Sequence, residues 1–214
     1  SSAASDVYKR QQERDVELEP TEGFESVTGK GVRGVVAGQS VILGNSRMLE
    51  EAAIDTSDLR AQAETLRGDG QTVMFIAVEG ELQGLLCVAD PIKSTSKEAI
   101  AGLQQDGLRV IVLTGDNETT ARAVAKRLGL DDVIAGVHPE QKAEEVKRLQ
   151  AVGKVVAMAG DGINDAPALA AADVGIALGA GADAAQETGD IVLVRPGLGD
   201  LVAAWRLARA TFTK

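Results

Sequence analysis

Residues Ala159–Leu169 read AGDGINDAPAL, and this stretch decides the fold because it joins the apolar run VVAMA, Val155 to Ala159, to an alanine-rich helix through an acidic glycine turn. Gly160 and Gly162 let the backbone bend sharply and approach a ligand closely. The turn holds two carboxylates, Asp161 and Asp165, while Asn164 and the helix start beyond it offer polar groups and free N–H donors to an anion. Converging acids repel unless a cation lies between them, so the arrangement suits a hard divalent ion held by oxygen, Mg²⁺ first. That combination points to phosphoryl chemistry. The plainer reading makes Asp161 a turn former and Asp165 a helix cap, which would suffice for an isolated DG or ND pair but not for the whole run after an apolar strand.

Outward from this turn the chain alternates strand and helix. A helix is predicted over Ser96 to Gln105, then strand RVIVLT, helix Thr119 to Leu128, a short strand near Val133, helix Pro139 to Gln150 and strand KVVAMA. After the turn follow a helix to Ala171, strand VGIAL, a helical approach at ETGD, strand DIVLV and a helix from Leu198. Such alternation with short connections predicts an α/β fold, a parallel sheet covered by helices on both faces. Ligands bind at the carboxyl ends of strands in this architecture, where both TGDN, after RVIVLT, and AGDGIND fall.

Upstream of Asp90-Pro91-Ile92-Lys93 the pattern is different, and the proline marks the predicted domain boundary. FESVT, GVRGVVA and SVILGN are short β-branched runs separated by glycine turns at Gly29-Lys30-Gly31 and Gly38-Gln39, an antiparallel meander. Helical stretches about Arg47 to Ala53 and Ser57 to Leu66 follow, then a hairpin, TVMFIAV and LQGLLCVA, around Glu79-Gly80. Residues 1–16 lack any apolar period and read as a disordered or non-native leader; 17–89 form a partial antiparallel α+β domain, 90–197 the parallel α/β domain, and 198–214 a terminal helix.

The 214 residues suffice for one large or two small domains, and the net charge of −10 argues against nucleic acid as a partner. Lone Cys87 excludes an internal disulfide and reads as a buried small hydrophobe. No apolar run approaches the ~18 residues that span a bilayer, and no signal-peptide order is present, so the chain reads as a soluble, intracellular-type region.

Thr114-Gly115-Asp116 ends its strand with a hydroxyl and a glycine N–H, both suited to a phosphoryl oxygen; its plainer reading is a cap turn, with Asp116 or Asn117 capping the next helix. Lys142 lies on the helix opened by Pro139 and, alone, would be a solvated charge; a phosphorylated carboxylate beside Mg²⁺ would need such a cation. LTGDN, PEQKAEEV, GDGINDAPAL and DVGIALGAGADAAQETGDIVLV together resemble the phosphorylation domain of P-type ATPases, within the haloacid dehalogenase superfamily. DPIK, and TGKGVRG followed by LGN, narrow the resemblance to the heavy-metal-transporting branch, copper first. The resemblance implies that Thr114 contacts the phosphoryl group, Lys142 neutralises it, Asp161 ligates Mg²⁺, and Asn164 and Asp165 complete the phosphate and metal site. It also implies that residues 17–89 are the later part of a nucleotide-binding domain, with Gly29 and Gly31 close to ATP unless TGKG is a plain hairpin turn.

The same resemblance implies a membrane-embedded parent protein with this region on the cytoplasmic side, carrying a soft metal cation on membrane helices outside this sequence. The family's nucleophilic aspartate, in DKTGT, is missing here, as is the Glu and His-Pro signature of its nucleotide domain; His138-Pro139 belongs instead to the lysine helix and reads as a loop residue before a helix start. The chain therefore reads as a piece cut after the nucleophile segment and again in a helix leading to the membrane. In that helix Leu201, Val202, Trp205, Ala208 and Phe212 form an apolar stripe, either packed on the sheet or part of a stalk whose Arg206, Arg209 and Lys214 face outward.

Four other readings compete. A P-loop at Gly29-Lys30 fails on spacing and on Gly31 where Ser or Thr is required. A dinucleotide fingerprint over Gly179–Ala184 falls too late in the alternation. A soluble phosphatase of the same superfamily would share the acidic turns and lysine without needing TGKGVRG, and a catalytically inactive nucleotide-binding module would need no nucleophile.

Overall fold

The computed structural model describes residues 19–89, 91–160, 163–179, 188–195 and 197–212. The predicted leader, Asp161, Gly162, the 180–187 stretch and Lys214 lie outside the described residues. The chain divides into two compact units, one of residues 1–63 and 73–87, the other of 64–72 and 88–214.

In the first unit, β1 (Thr21–Val27), β2 (Gly31–Val36), β3 (Gln39–Gly44), β4 (Thr72–Val78) and β5 (Glu81–Val88) form one sheet in sequence order. Helices α1 (Ser46–Glu51) and α2 (Ser57–Gly68) intervene between β3 and β4, with the second half of α2, the turn after it and Thr72 counted in the second unit. Alternation on β4 buries Val73, Phe75 and Ala77, and Met48 and Leu49 on α1, Ala63 on α2 and Ile54 between the two helices add to the buried set. Tight turns link the strands at Ala37-Gly38 and Glu79-Gly80, where all four residues have positive φ, the geometry that matches the twist of antiparallel neighbours. The first turn lies one residue earlier than the sequence suggests, because Gln39 already pairs with Val36. β1 is an exposed edge strand with a bulge between Glu22 and Glu25, and its acidic side chains discourage further pairing. Cys87, expected to be buried, is only half-buried on β5, where the outer strand has less to pack against.

The second unit contains α3 (Ser94–Gln105), β6 (Val112–Leu113), α4 (Glu118–Leu128), β7 (Val133–Ile134), α5 (Pro139–Ala151) and β8 (Ala157–Gly160). A 3-10 turn (Ile163–Asp165) leads into α6 (Ala166–Ala171), followed by β9 (Val174–Leu178), β10 (Ile191–Leu193) and α7 (Leu198–Phe212). All three β8–β9, β9–β10 and β6–β7 pairings are parallel, as the strand–helix alternation predicts. They form two sheets rather than one continuous layer: β6 pairs with β7 alone, and β8 with β9 alone, among the described residues. With one edge unpaired, RVIVLT keeps 2 residues in its ladder and KVVAMA enters only at Ala157, leaving Val155 85% exposed.

Ile100, Ala125 and Leu130 form one core, flanked by Val110, Val112, Leu128, Val133 and Leu198; Leu169 and Ala177 form another with Met158. Gly175 lets α6 close on β9, since a Cβ there would lie 2.7 Å from the Leu169 carbonyl oxygen. On α7, Arg206 and Arg209 are exposed; Arg206 pairs with Asp106 at 2.8 Å and Arg209 donates to the Asp106 carbonyl at 3.3 Å. Asp106 ends α3, where the helix's free carbonyls and the carboxylate together attract cations. No helix among the described residues is long and apolar enough to cross a membrane.

Candidate active site

The loop after β6 is fixed from both sides. Thr114 N–H donates to the Ile134 carbonyl at 3.0 Å, Val137 N–H to the Thr114 carbonyl at 3.1 Å, and Gly136 N–H to the Asp116 carbonyl at 2.7 Å. Asn117, not Asp116, caps α4: its Oδ1 accepts the Thr120 N–H at 3.0 Å. The Asp116 side chain is thereby free for the loop itself. Its backbone N–H donates to Thr114 Oγ1, and Thr114 Oγ1 donates to Asp116 Oδ2, each at 3.1 Å. Gly115 is exposed at the crest between them.

The second group forms where α5 meets the acidic turn. Lys142 Nζ lies 2.6 Å from Asp165 Oδ1, with side chains only 17% and 13% exposed. Such a pair is costly to desolvate, and removing either member would strand the other's charge in a place water hardly reaches. Gly160, the last residue of β8, makes room for it: a Cβ would sit 2.6 Å from Asp165 Cβ and 2.8 Å from Asp165 Oδ2. The glycine is required by the carboxylate as much as by the turn. Asn164 is exposed beside it, and Asp161, the other expected carboxylate, lies outside the described residues. His138 occupies the cap position of α5, its N–H held by Gln141 Oε1 at 3.0 Å.

In the first unit, the Gly29-Lys30-Gly31 loop is tied down by Asn45, which the sequence reading noted only within LGN. Asn45 Nδ2 donates to the Gly29 carbonyl at 2.9 Å, its N–H to the Lys30 carbonyl at 2.8 Å, and its Oδ1 accepts the Met48 N–H at 3.1 Å. Lys30 pairs with Glu51 at 2.6 Å, and that hydrogen bond holds the Glu51 carboxyl below its ordinary pKa. A Cβ on Gly31 would fall 2.2 Å from the Leu43 carbonyl oxygen, so this glycine is demanded by the β2–β3 contact.

Asp165 and Lys142, Thr114 and Asp116 thus assemble as two contacting pairs at the carboxyl ends of β8 and β6, whereas Gly29 and Gly31 belong to the other unit. Against this geometry, residues 3–173 match the family of haloacid dehalogenase-like hydrolases, and the chain belongs to that family. Among its relatives, a copper-transporting P-type ATPase of Rhizobium leguminosarum bv. viciae is 53% identical over 97% of this chain, and a silver exporting P-type ATPase of Salmonella typhimurium 46% identical over 96%. The chain spans 25% of the length of each. Of solved structures, the catalytic domain of the CPx-ATPase CopB-B superposes with TM-score 0.66 at 27% identity, covering 94% of this chain and 71% of that one. A zinc-transporting PIB-type ATPase superposes with TM-score 0.64 at 33% identity, covering 99% of this chain and 34% of that one.

Proposed function

We propose that this chain is the phosphoryl-handling part, with part of the nucleotide-binding domain, of a P-type ATPase that moves a soft metal cation, copper(I) first, across a membrane from a cytoplasmic catalytic region. The observation that supports it most is the enclosed Lys142–Asp165 pair at 2.6 Å, built by GDGINDAPAL and PEQK. Thr114 and the Gly115 N–H hold phosphoryl oxygens, and Lys142 offsets their charge. Asn164 and Asp165 border the same group. The loop of Gly29 and Gly31 lies close to ATP in this reading.

The donor chemistry fits Mg²⁺ in part. Asp165 keeps Oδ2 free of the lysine, and carboxylate oxygen is the donor type this ion takes. Among the described residues no cluster of three acidic, histidine or cysteine groups is present, so Asp165 is the carboxylate the described part would supply, with Asp161 as its expected companion. Bound there, Mg²⁺ would supply charge stabilisation to the transferring phosphoryl group. The nucleophile is an aspartate outside this sequence.

The test is phosphorylation by [γ-³²P]ATP with Mg²⁺. A longer protein containing this chain and the DKTGT segment should form an acid-stable, hydroxylamine-sensitive phosphoenzyme, and the chain alone should form none. Phosphoenzyme on the chain alone, or turnover of simple phosphate esters by it, would overturn the reading in favour of a self-sufficient phosphatase.

A further inference from the structure

Within the second unit, residues 64–72 are fastened to α4 and to the loop before it by four hydrogen bonds. Thr119 Oγ1 donates to Glu64 Oε2 at 3.0 Å, Thr120 Oγ1 to the Gln71 carbonyl at 2.9 Å, Arg127 Nη2 to the Asp69 carbonyl at 2.5 Å, and Thr72 Oγ1 to Asp116 Oδ1 at 3.0 Å. Thr120 is almost fully buried, so the attachment has a dry anchor. The last bond reaches the proposed site directly. Thr72 stands 44 residues from Asp116 in sequence.

A threonine hydroxyl has one proton to give. In this structure Thr114 gives it to Asp116 Oδ2 while accepting the Asp116 N–H. To serve a phosphoryl oxygen, Thr114 must turn that proton away, and Asp116 Oδ2 then loses its donor. Thr72 supplies the other. With Oδ1 still held, the carboxylate keeps its rotamer and its loop keeps its shape as Thr114 turns. We infer that Thr72 is a positioning residue that holds Asp116 so that Thr114 can transfer its hydrogen bond to the incoming phosphoryl group; this role rests on the functional reading above.

The experiment has two arms. In the longer protein that carries the nucleophile, Thr72→Val should slow single-turnover phosphorylation at saturating ATP by about tenfold, the scale of one hydrogen bond to a charged group, and leave the apparent ATP affinity within about twofold. Thr72→Ser should restore the rate, and Thr72→Val should add nothing in an Asp116→Ala background. In the chain as it stands, Thr72→Val should shift the Asp116 carboxyl and Thr114 amide NMR signals, and Thr72→Ser should return them. A wild-type protein that forms no phosphoenzyme overturns the functional reading and this role with it. A wild-type protein that does, with Thr72→Val unimpaired, impaired equally with Thr72→Ser, or altered only in ATP affinity, overturns Thr72's role alone, as do unshifted Asp116 and Thr114 signals.

Discussion

In the first unit every strand pairs with its neighbour in sequence, and one continuous ladder runs from β1 to β5; in the second, each described pairing is parallel and the ladder is in two pieces. Antiparallel partners need only a tight turn between them, so local chemistry completes the sheet. Parallel partners need a crossover, which α4 supplies between β6 and β7 and α6 between β8 and β9. The acidic loops sit on this second, less complete ladder. Side chains add to what holds them: the Thr114–Asp116 exchange joins the backbone bonds around the first loop, and the Lys142–Asp165 pair ties Asp165 to α5. The loop of the first unit takes its shape from backbone packing at Gly31 and from Asn45.

The largest expected effect contrasts the ion pairs of the two units. In the longer protein Lys142→Ala or Asp165→Ala should cut the phosphorylation rate about a hundredfold or more, and His138→Ala should leave it within about twofold. In the chain itself, breaking the enclosed pair should cost about 3 kcal/mol in urea unfolding, against less than about 1 kcal/mol for Lys30→Ala at the more exposed Lys30–Glu51 bridge. Equal costs would erase the distinction.

Next comes backbone packing in the first unit. Gly31→Ala should destabilise it by about 2–4 kcal/mol, since the new methyl meets the Leu43 carbonyl at 2.2 Å. Gly84→Ala, with open space around it, should fall within about 0.5 kcal/mol of wild type. A mild Gly31→Ala would show that the β2–β3 contact yields easily. Amide exchange provides a third comparison. Backbone amides of β2 and β3 should exchange at least about tenfold more slowly than those of β6 and β8. Stronger protection at Val112 and Ala159 than at Val35 and Ile42 would break the comparison between complete and incomplete ladders.

The smallest effect is on acid stability. Arg109 lowers the Asp132 carboxyl pKa chiefly by hydrogen bonding, and the Val156 N–H does the same for Asp173; these bonds brace the segments entering β6 and β8. Because the folded values lie below the ordinary 3.8, the stability they contribute is fully present above that value and is lost as pH falls through the folded pKa. Asp132→Asn should therefore lower the melting temperature slightly at pH 7 and flatten its fall below pH ~4. An unchanged acid limb would remove Asp132 from that account.

The tight turns of the first unit were legible because left-handed turn chemistry is local, and Glu79-Gly80 falls where the residues place it. The acidic turns were legible as ends of apolar runs; that Lys142 lies against Asp165 was not, since PEQK and NDAP show the two charges without their distance. Gly160 looked like a turn glycine, yet its lack of a side chain is required by Asp165, a constraint visible only when both are in place. Thr72 and Asn45 gave no sign of their partners, because an ordinary hydroxyl or amide carries no trace in sequence of what it will touch. The length of RVIVLT overstated β6 for a related reason: an apolar run reports a capacity to pair, and the ladder forms only where a partner lies alongside.

Asp106 joins the end of α3 to α7. Its carboxylate grips Arg206 and its carbonyl receives Arg209. A tug along α7 would thus load the turn at Asp106, from which Gly107–Leu113 runs as a short strap to Thr114. Along that path Arg109 is paired with the Asp132 side chain and the Val112 N–H with its carbonyl, so such a load would be shared with the segment entering β7 before it reached Thr114.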